Sequence, residues 1–453
     1  MGKFSFSKLY NKHFLVLMGN GVIAMVGFAT TLLLFHYLSV AAVGMWFFVQ
    51  SIVGLCEAGR YGFLATTTVK FYAGTDEKRA ANVLGSVWVL AISLTGVVLA
   101  ANALALAWLP FTNDIETILC IKWIGITFLS SLPADVTFWR LQAQERYLAM
   151  LLYRMLNSGL SLLVFVILIG MNIMTVENAL LLNFITNSIA SLASIFLNLS
   201  GIKYIAHKSK DCIMELVHFG KYTFGTTLCS SMLTNSNTFI LNFVLGPSAV
   251  AIYNLATRLM ALIEMPLRTF VTTGLSEMAI AYNTSNLPYV TYILKKYAGM
   301  LTLSFLPLTI VALFIADFAI RILGGHNFDG AAGIEAANTY RFIMILALSY
   351  PIDAFNGLAL DVIHKTKINF YKVILMLIVK VATGLLFTTL LKDIYGILIA
   401  NYLMTIAAII YGYYQLRKYL DYTIPGILIT GYSEISGLIR RTLKLSPKTQ
   451  SMP

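Results

Sequence analysis

Long apolar segments recur along the whole chain and alternate with short polar connections. Each is about 20 residues long, the length that an α-helix needs to cross ~30 Å of hydrocarbon. Membrane β-strands would be half as long and would alternate apolar with polar residues, so the pattern predicts an all-α integral membrane protein. The twelve segments are approximately 14–37, 43–66, 83–108, 117–139, 150–172, 178–200, 219–244, 249–273, 297–322, 337–361, 368–391 and 395–417.

The two halves of the chain resemble each other. Residues 38–63 align with residues 245–270 without a gap, at a constant offset of 207 positions. Duplicated halves are a common architecture of membrane transporters. A second passage repeats at an offset of 218, in which Ser131, Pro133, Asp135, Tyr153 and Arg154 align with Ser349, Pro351, Asp353, Tyr371 and Lys372.

Six predicted helices in each half give two six-helix bundles that enter the membrane from the same side. Such repeats are related by an axis along the membrane normal. The predicted N-terminal bundle is 1–212, the C-terminal bundle is 213–420, and a cytoplasmic or interfacial tail occupies 421–453.

Composition and charge agree with this topology. Hydrophobic residues make up 58% of the chain and charged residues 11%, whereas soluble domains contain roughly 25% charged residues. Lys and Arg concentrate at the N-terminus, in alternate connections and in the tail, which predicts that both termini are cytoplasmic. The net charge of +12 follows mainly from this bias. It does not indicate nucleic-acid binding.

Carboxylates within apolar helices are costly, and here they repeat between the halves. Glu57 aligns with Glu264, and each has an arginine close by on the same helix, Arg60 and Arg268. Spacings of three and four residues place acid and base on one helix face. Two interpretations stay open: structural ion pairs that stabilise each bundle, or a gate or ion-coupling site between the halves.

A second pair of acids follows prolines. Asp135 comes two residues after Pro133, and Asp353 comes two residues after Pro351. Proline removes a backbone hydrogen bond and bends a membrane helix. We expect a hinge with a nearby polar partner at both places.

Four cations have no evident acidic neighbour in sequence. Arg258 and Lys380 lie near the middle of predicted helices 8 and 11, and Lys122 and Arg341 lie near the periplasmic ends of helices 4 and 10. A buried cation needs either a carboxylate from another helix or an anionic ligand, and for Arg258 and Lys380 both remain open. Lys122 and Arg341 have the further option of extending to the interface.

Other polar residues give weaker signals. Arg321 lies four residues from Asp317, which predicts a local ion pair. Asn235, Asn237 and Gln50 offer amides suited to sugar hydroxyls, or to hydrogen bonds between helices.

Several classes of activity lack their motifs in this sequence. The chain has no G-x-x-x-x-G-K-[ST] loop for ATP, no H-E-x-x-H or comparable metal spacing and no nucleophile elbow. The connections are too short to hold a catalytic domain. We therefore expect no enzymatic activity, no cofactor and no metal.

Three passages resemble polysaccharide flippases of the multidrug/oligosaccharidyl-lipid/polysaccharide exporter superfamily. They are LGPSAVAIYNLATRL at 245–259, YLSVAAVGMWFFVQSIVGLCEAG at 37–59 and RLQAQERY at 140–147. The resemblance implies a MATE-like fold that works by alternating access in the bacterial inner membrane. Its implied cargo is an undecaprenyl-pyrophosphate-linked oligosaccharide of O-antigen or capsule type, moved from the cytoplasmic to the periplasmic leaflet. Polysaccharide polymerase and chain-length proteins are the implied partners.

On this interpretation each charged group receives an expected role. Arg258 and Lys380 would bind the pyrophosphate, and Lys122 and Arg341 would contact the cargo nearer the exit. Glu57, Arg60, Glu264 and Arg268 would control closure on the cytoplasmic side. Asn235 and Asn237 stand where some relatives carry an acid, which leaves the coupling ion open.

Three rival functions also share features with this sequence. A drug/cation antiporter has the same fold but tends to depend on a buried carboxylate in the first or seventh helix, and neither predicted helix has one. A polymerase or glycosyltransferase of the same pathway fits poorly with the repeat and the short outer connections. A lipid II flippase usually has two further helices, whereas residues 424–443 are polar enough to predict an interfacial segment.

Overall fold

The computed structural model describes residues 12–109 and 115–442, and its regular elements in these ranges are all helical. The α-helices are α1 (Lys12–Tyr37), α2 (Val40–Tyr72), α3 (Glu77–Leu106), α4 (Ile115–Ser130), α5 (Leu132–Ala143), α6 (Tyr147–Gly170), α7 (Val176–Phe196), α8 (Lys210–Leu245), α9 (Pro247–Arg258), α10 (Ala261–Asn283), α11 (Leu287–Gly324), α12 (Ala331–Ala347), α13 (Tyr350–Val362), α14 (Thr366–Leu391), α15 (Tyr395–Leu416) and α16 (Ile424–Thr442). Short 3-10 helices, Ile202–His207 and Gly325–Phe328, precede α8 and α12. The predicted all-α fold is confirmed.

Each of the twelve predicted spans corresponds to a helix or to a bent pair of helices. Within the described ranges, α2, α3, α6, α7, α11, α14 and α15 are each long and apolar enough to cross a membrane. The pairs α4–α5, α9–α10 and α12–α13 raise the number of candidate spans from seven to ten. The other two predicted spans match α1, with a short apolar part at Gly21–Tyr37, and α8, whose many polar residues lower its hydropathy.

Large apolar side chains cover the outside of these helices. Leu104, Phe196 and Phe314 are 78%, 80% and 82% exposed, respectively. A soluble protein would bury such side chains or confine them to small patches. Their exposure along the helices is that of a surface in contact with lipid.

Two bends occur at the repeated prolines. The angle between α4 and α5 is 41°, and that between α12 and α13 is 45°. Pro133 and Pro351 lie in the first turn of the second helix of each pair, where the missing N–H costs least. Ser131 and Ser349, at the two breaks, donate their hydroxyls to carbonyls of the preceding turn. The sequence predicted a bend at both places, and movement about either bend stays a prediction.

Contacts among the described residues divide the chain into two compact units. The first unit runs through Asn242 and adds Gly246–Ala251 and Leu323–Asn327; the second contains Phe243–Leu245, Ile252–Ile322 and the residues from Phe328 onward. These units are defined by contacts, whereas the predicted bundles are defined by the internal repeat. The predicted boundaries at 212 and 420 therefore stay predictions.

The first unit contains a hydrophobic core in which α8 takes part. Leu64, Leu84, Trp88 and Trp139 are buried together with Leu216 of α8. Glycines on α2 and α8 allow the two helices to approach closely, because a Cβ atom at Gly62 would overlap Thr227 and one at Gly220 would crowd Phe63. Contacts of this small-residue type are the usual means by which membrane helices pack.

The second unit contains the amphipathic helix α16 (Ile424–Thr442). Before it, Tyr422 is buried at 1% exposure and donates its hydroxyl to Asn356 Oδ1 at 2.8 Å. On α16 itself, the backbones of Gly431 and Gly299 of α11 are so close that a Cβ atom on either would overlap its neighbour. Tyr292 Oη also donates to Glu434 Oε1 at 2.6 Å. α16 is thus packed against α11. Its location at the membrane interface stays a prediction.

We expect Gly431→Leu to destabilise the protein. The new side chain would collide with the α11 backbone, and overpacking of this kind costs about 1–3 kcal/mol. Gly437→Leu on the same helix is the matched control, because nothing lies within 4 Å of a Cβ atom there. Thermal unfolding in detergent should show a lower melting temperature for Gly431→Leu alone, and equal melting temperatures would contradict the packing.

Candidate functional site

Arg60 forms the most elaborate polar cluster within the first unit. Its side chain is 1% exposed, and it donates to Thr95 Oγ1 at 3.2 Å, Phe128 O at 2.9 Å, Ser131 Oγ at 2.6 Å and Asp135 Oδ2 at 2.5 Å. The guanidinium carbon also lies 3.9 Å from the centre of the Phe128 ring. The break between α4 and α5 makes this possible, because carbonyls of a helix end are available to other donors.

Of the two interpretations of Glu57 and Arg60, the structural ion pair between them does not form among the described residues. Among the described residues, the ion pair of Arg60 is with Asp135 on α5, and none joins it to Glu57, one turn earlier on α2. A planar guanidinium satisfies several acceptors in fixed directions, and the break in α4–α5 presents more of them than Glu57 does. A role of Glu57 in a gate or in ion coupling stays a prediction.

The second unit contains the repeat equivalent of Asp135 in a different arrangement. Lys372 Nζ of α14 lies 2.7 Å from Asp353 Oδ1 and 3.2 Å from the Asp353 carbonyl oxygen. The lysine side chain is 5% exposed. Gly357 on α13 and Gly412 on α15 make room for it, since a Cβ atom on either would contact this side chain. The polar partner that we expected beside each aspartate is therefore present in both units.

The second predicted ion pair forms as the helical spacing indicates. Arg268 Nη2 lies 3.1 Å from Glu264 Oε2, one turn apart on α10. The side chains are 82% and 46% exposed, respectively. An exposed pair at this spacing contributes only about 0.3–0.5 kcal/mol, so it adds little to stability. A role in closure stays a prediction.

Lys122 and Arg341 both have acidic neighbours, which corrects the expectation that they lack a matching acid. Lys122 Nζ lies 4.0 Å from Glu177 Oε1, and both side chains are about half exposed. Arg341 Nη2 lies 2.6 Å from Asp317 Oδ2. Its guanidinium also donates to Asn338 Oδ1 at 2.8 Å and to the Leu313 carbonyl at 3.1 Å. Sequence separation hid these partners because they come from other helices or turns.

The local pair expected between Asp317 and Arg321 is also wrong for the described part of the chain. Asp317 instead forms an ion pair with Arg341 of the neighbouring helix α12. A spacing of four residues permits a pair but does not require it, and Arg341 offers two further hydrogen bonds that fix its position.

Arg258 and Lys380 lie in the second unit. Arg258 is the last residue of α9, next to a bend of 57° between α9 and α10, rather than in the middle of a straight helix as expected. Lys380 lies within α14, two turns after Lys372, and is buried at 5% exposure. Discontinuous helices line the ligand sites of many transporters. The assembly of the four cations into one site stays a prediction.

Sequence reasoning missed three participants in these two separate polar clusters. Thr95 and the Phe128 carbonyl contribute to the Arg60 cluster without any pattern that distinguishes them. Lys372 was recognised as a repeat position but not as the partner of Asp353. The equal spacing of Asp135–Arg154 and Asp353–Lys372, nineteen residues in each case, was a usable signal, although Arg154 instead lies 4.2 Å from the Phe138 ring.

The described ranges contain no candidate metal-binding site. No group of three or more His, Cys, Asp or Glu side chains there could hold a metal ion. The polar clusters around Arg60 and Lys372 are salt bridges and hydrogen bonds that leave each charge compensated.

The fold is similar to that of solved transporters of the exporter superfamily named above. A solved multidrug resistance MATE family transporter in an inward-facing conformation superimposes with a TM-score of 0.70 at 16% identity, over 87% of this chain and 95% of that one. The lipid II flippase MurJ in an inward closed conformation superimposes with a TM-score of 0.71 at 15% identity, over 96% of this chain and 94% of that one. A transporter of the same superfamily from Pyrococcus furiosus superimposes with a TM-score of 0.57 at 19% identity, over 89% of this chain and 94% of that one.

The sequence identifies the family more closely. Residues 9–275 match the family described as "Polysaccharide biosynthesis protein", and the chain belongs to that family. No curated protein matches the chain. Family and fold together are those of a multi-pass membrane protein of polysaccharide biosynthesis, and the solved structures that share its fold are transporters.

Proposed function

We propose that the chain moves undecaprenyl-pyrophosphate-linked polysaccharide repeat units from the cytoplasmic to the periplasmic leaflet of the bacterial inner membrane. The family match carries this proposal, because it assigns the chain to polysaccharide biosynthesis. In a pathway that assembles sugars on a lipid inside the cell and uses them outside, a transporter must carry the charged head and the sugars across hydrocarbon. Both termini would be cytoplasmic, as the distribution of Lys and Arg predicts.

The pyrophosphate would be bound by Arg258 and Lys380. Arg258 at a helix break and Lys380 buried in α14 both belong to the second unit. Arginine and lysine form short, charge-assisted hydrogen bonds with phosphate oxygens. The lipid tail would remain in the bilayer, so that only the head and sugars need a polar path.

The other charged residues would act around this centre. Cargo phosphate would compete with Glu177 for Lys122 and with Asp317 for Arg341, which suits brief contacts during exit. Arg60 pairs with Asp135 rather than with Glu57. Glu57 would bind a coupling cation or take part in closure of the transporter on the cytoplasmic side. Polymerase and chain-length proteins would receive the product.

Substitution of the two cations tests their role in transport. Arg258→Gln and Lys380→Met should each reduce surface polysaccharide at least about tenfold, since a lost charged hydrogen bond costs roughly 1.5–3 kcal/mol. The assay uses a bacterium that lacks its own O-antigen flippase and measures polysaccharide on the cell surface at equal protein level. Lys367→Met on the exposed face of α14 is the control and should retain full display. Normal display in both cation variants would contradict the assignment.

The drug/cation antiporter is the second candidate, because the fold resembles the multidrug transporter about as closely as the flippase. Expression in a drug-sensitive host distinguishes the two. We expect no gain in drug resistance, and acquired resistance without polysaccharide display would favour the antiporter.

A further inference from the structure

A polar cleft opens at one end of the first unit. It forms where the α2–α3 connection, the α5–α6 connection and the 3-10 helix Ile202–His207 meet, and its volume is about 1050 Å³. We call it the loop cleft and define it by six lining residues: Tyr72, Lys78, Arg140, Gln144, Tyr204 and His207. The connections that form it are among the basic ones that predict the cytoplasmic side, so the loop cleft would face the cytoplasm.

Three side chains of the loop cleft, those of Arg140, Gln144 and Tyr72, are held in place by hydrogen bonds within the unit. Arg140 Nη1 donates to the carbonyls of Asn198 at 2.8 Å and Leu199 at 2.9 Å. Gln144 Nε2 donates to Tyr72 Oη at 2.8 Å. Binding groups that are fixed in advance lose little conformational entropy when a ligand arrives.

The backbone of the 3-10 helix is fixed as well. Gly85 of α3 lets the carbonyl of Tyr204 approach so closely that a Cβ atom would overlap it. Trp88 Nε1 donates to the Ser200 carbonyl at 3.1 Å. These contacts attach this wall of the loop cleft to α3.

Two polar atoms beside the loop cleft lack hydrogen-bond partners among the described residues. They are Arg140 Nε, a donor, and Gln144 Oε1, an acceptor, and both are buried. A buried group without a partner costs roughly 1–3 kcal/mol, so natural proteins usually supply a partner from solvent or from a ligand. Arg140 and Gln144 therefore each bring to the loop cleft a polar group whose hydrogen-bonding capacity is not fully used within the described residues.

The charges of the lining narrow the class of ligand. Lys78 and Arg140 line the loop cleft together with Glu77 and Glu145, so groups of both charges are present. The carboxylates oppose a strongly anionic ligand, and the many polar groups oppose an apolar one. Tyrosine rings such as Tyr72 and Tyr204 offer both an apolar face and a hydroxyl.

We propose that the loop cleft is a binding site for sugar residues. Sugars present dense hydroxyls that donate and accept, together with apolar ring faces, and thus match this lining. The inference rests on the proposed function for its expected source, the oligosaccharide head of the lipid-linked cargo before transport. Nucleotide-activated sugars share the same chemistry and are the alternative source.

The test uses the full-length chain in cells that assemble a lipid-linked oligosaccharide from a radiolabelled sugar. A photo-crosslinking amino acid replaces Lys78 in the loop cleft or, as the matched control, the exposed Lys208 just outside it. We expect radiolabel on the chain after irradiation with the probe at 78 and not at 208. Cells unable to start lipid-linked assembly distinguish the sources: the label disappears if the cargo supplies it and persists if nucleotide-activated sugars do.

A pair of glutamines tests the assigned contacts. With the probe at 78, Gln144→Leu should lower labelling about fivefold, the expected effect of losing one hydrogen bond to a neutral partner. Gln142→Leu, outside the loop cleft, should leave labelling unchanged. Equal labelling of the two variants at equal protein level would overturn the site.

Surface display in the same cells separates this inference from the proposed function. Restored display with no label at 78 would overturn the sugar site and leave transport intact. Label at 78 without restored display would support the sugar site and count against transport.

Discussion

Arg60→Met is expected to be among the most damaging single substitutions in the first unit. It removes four hydrogen bonds and leaves Asp135 without its counter-charge in an apolar helix bundle. Breaking a buried ion pair from one side costs about 3–5 kcal/mol. Because the Asp135 side chain is 35% exposed, we expect the lower end of that range. Chemical unfolding in detergent micelles measures the change.

Two further variants show whether the cost arises from the uncompensated carboxylate. Arg60→Met combined with Asp135→Asn should recover part of the lost free energy of unfolding, as interacting neighbours do in a double-mutant cycle. Arg268→Met, which breaks the exposed pair with Glu264, should cost no more than about 0.5 kcal/mol. An equal loss for Arg60→Met and Arg268→Met would contradict the buried cluster.

Lys372→Met is the second substitution with a large expected effect. Lys372 and Asp353 have side chains that are 5% and 21% exposed, so both charges are poorly solvated. Removal of the ammonium group would leave Asp353 next to a bend without compensation, at a cost of about 3–5 kcal/mol. The same unfolding measurement should detect a clear loss of stability.

Lys367→Met provides the control on the same helix. Lys367 is exposed, and its replacement should change the free energy of unfolding by no more than about 0.5 kcal/mol. Lys372→Met combined with Asp353→Asn should be more stable than Lys372→Met alone. If Lys372→Met unfolds like Lys367→Met, the ion pair does not contribute as proposed.

The two repeats conserve the acid but recruit its counter-charge from different helices. Asp135 is compensated by Arg60 of α2, whereas Asp353 is compensated by Lys372 of α14. The residue that aligns with Arg60 in the second half is Leu267, so α10 offers no cation at that position. An internal repeat therefore predicts where a charge must be balanced, but not which helix supplies the balance.

The sequence was sufficient for features that depend on local composition. Runs of apolar residues predicted the helices, and Pro133 and Pro351 predicted the two bends. Glu264 and Arg268 pair as their spacing indicates. In each case the physical cause acts within a few residues of the chain.

Ion pairs between side chains of different helices could not be predicted from local composition. Arg341 binds Asp317, 24 positions earlier in the chain, and Arg60 binds Asp135, 75 positions later. Such pairs depend on the rotation and depth at which helices pack, which the hydrophobic pattern leaves open because most faces of a membrane helix are apolar.

Transport in reconstituted vesicles tests the central claim most directly. The purified chain is placed in liposomes that contain a lipid-linked oligosaccharide, and an enzyme outside removes the glycans that it can reach. Our account predicts that glycans from the inner leaflet become accessible over time, and more slowly with Lys380→Met. Access no faster than in protein-free liposomes, with well-folded protein present, would contradict it.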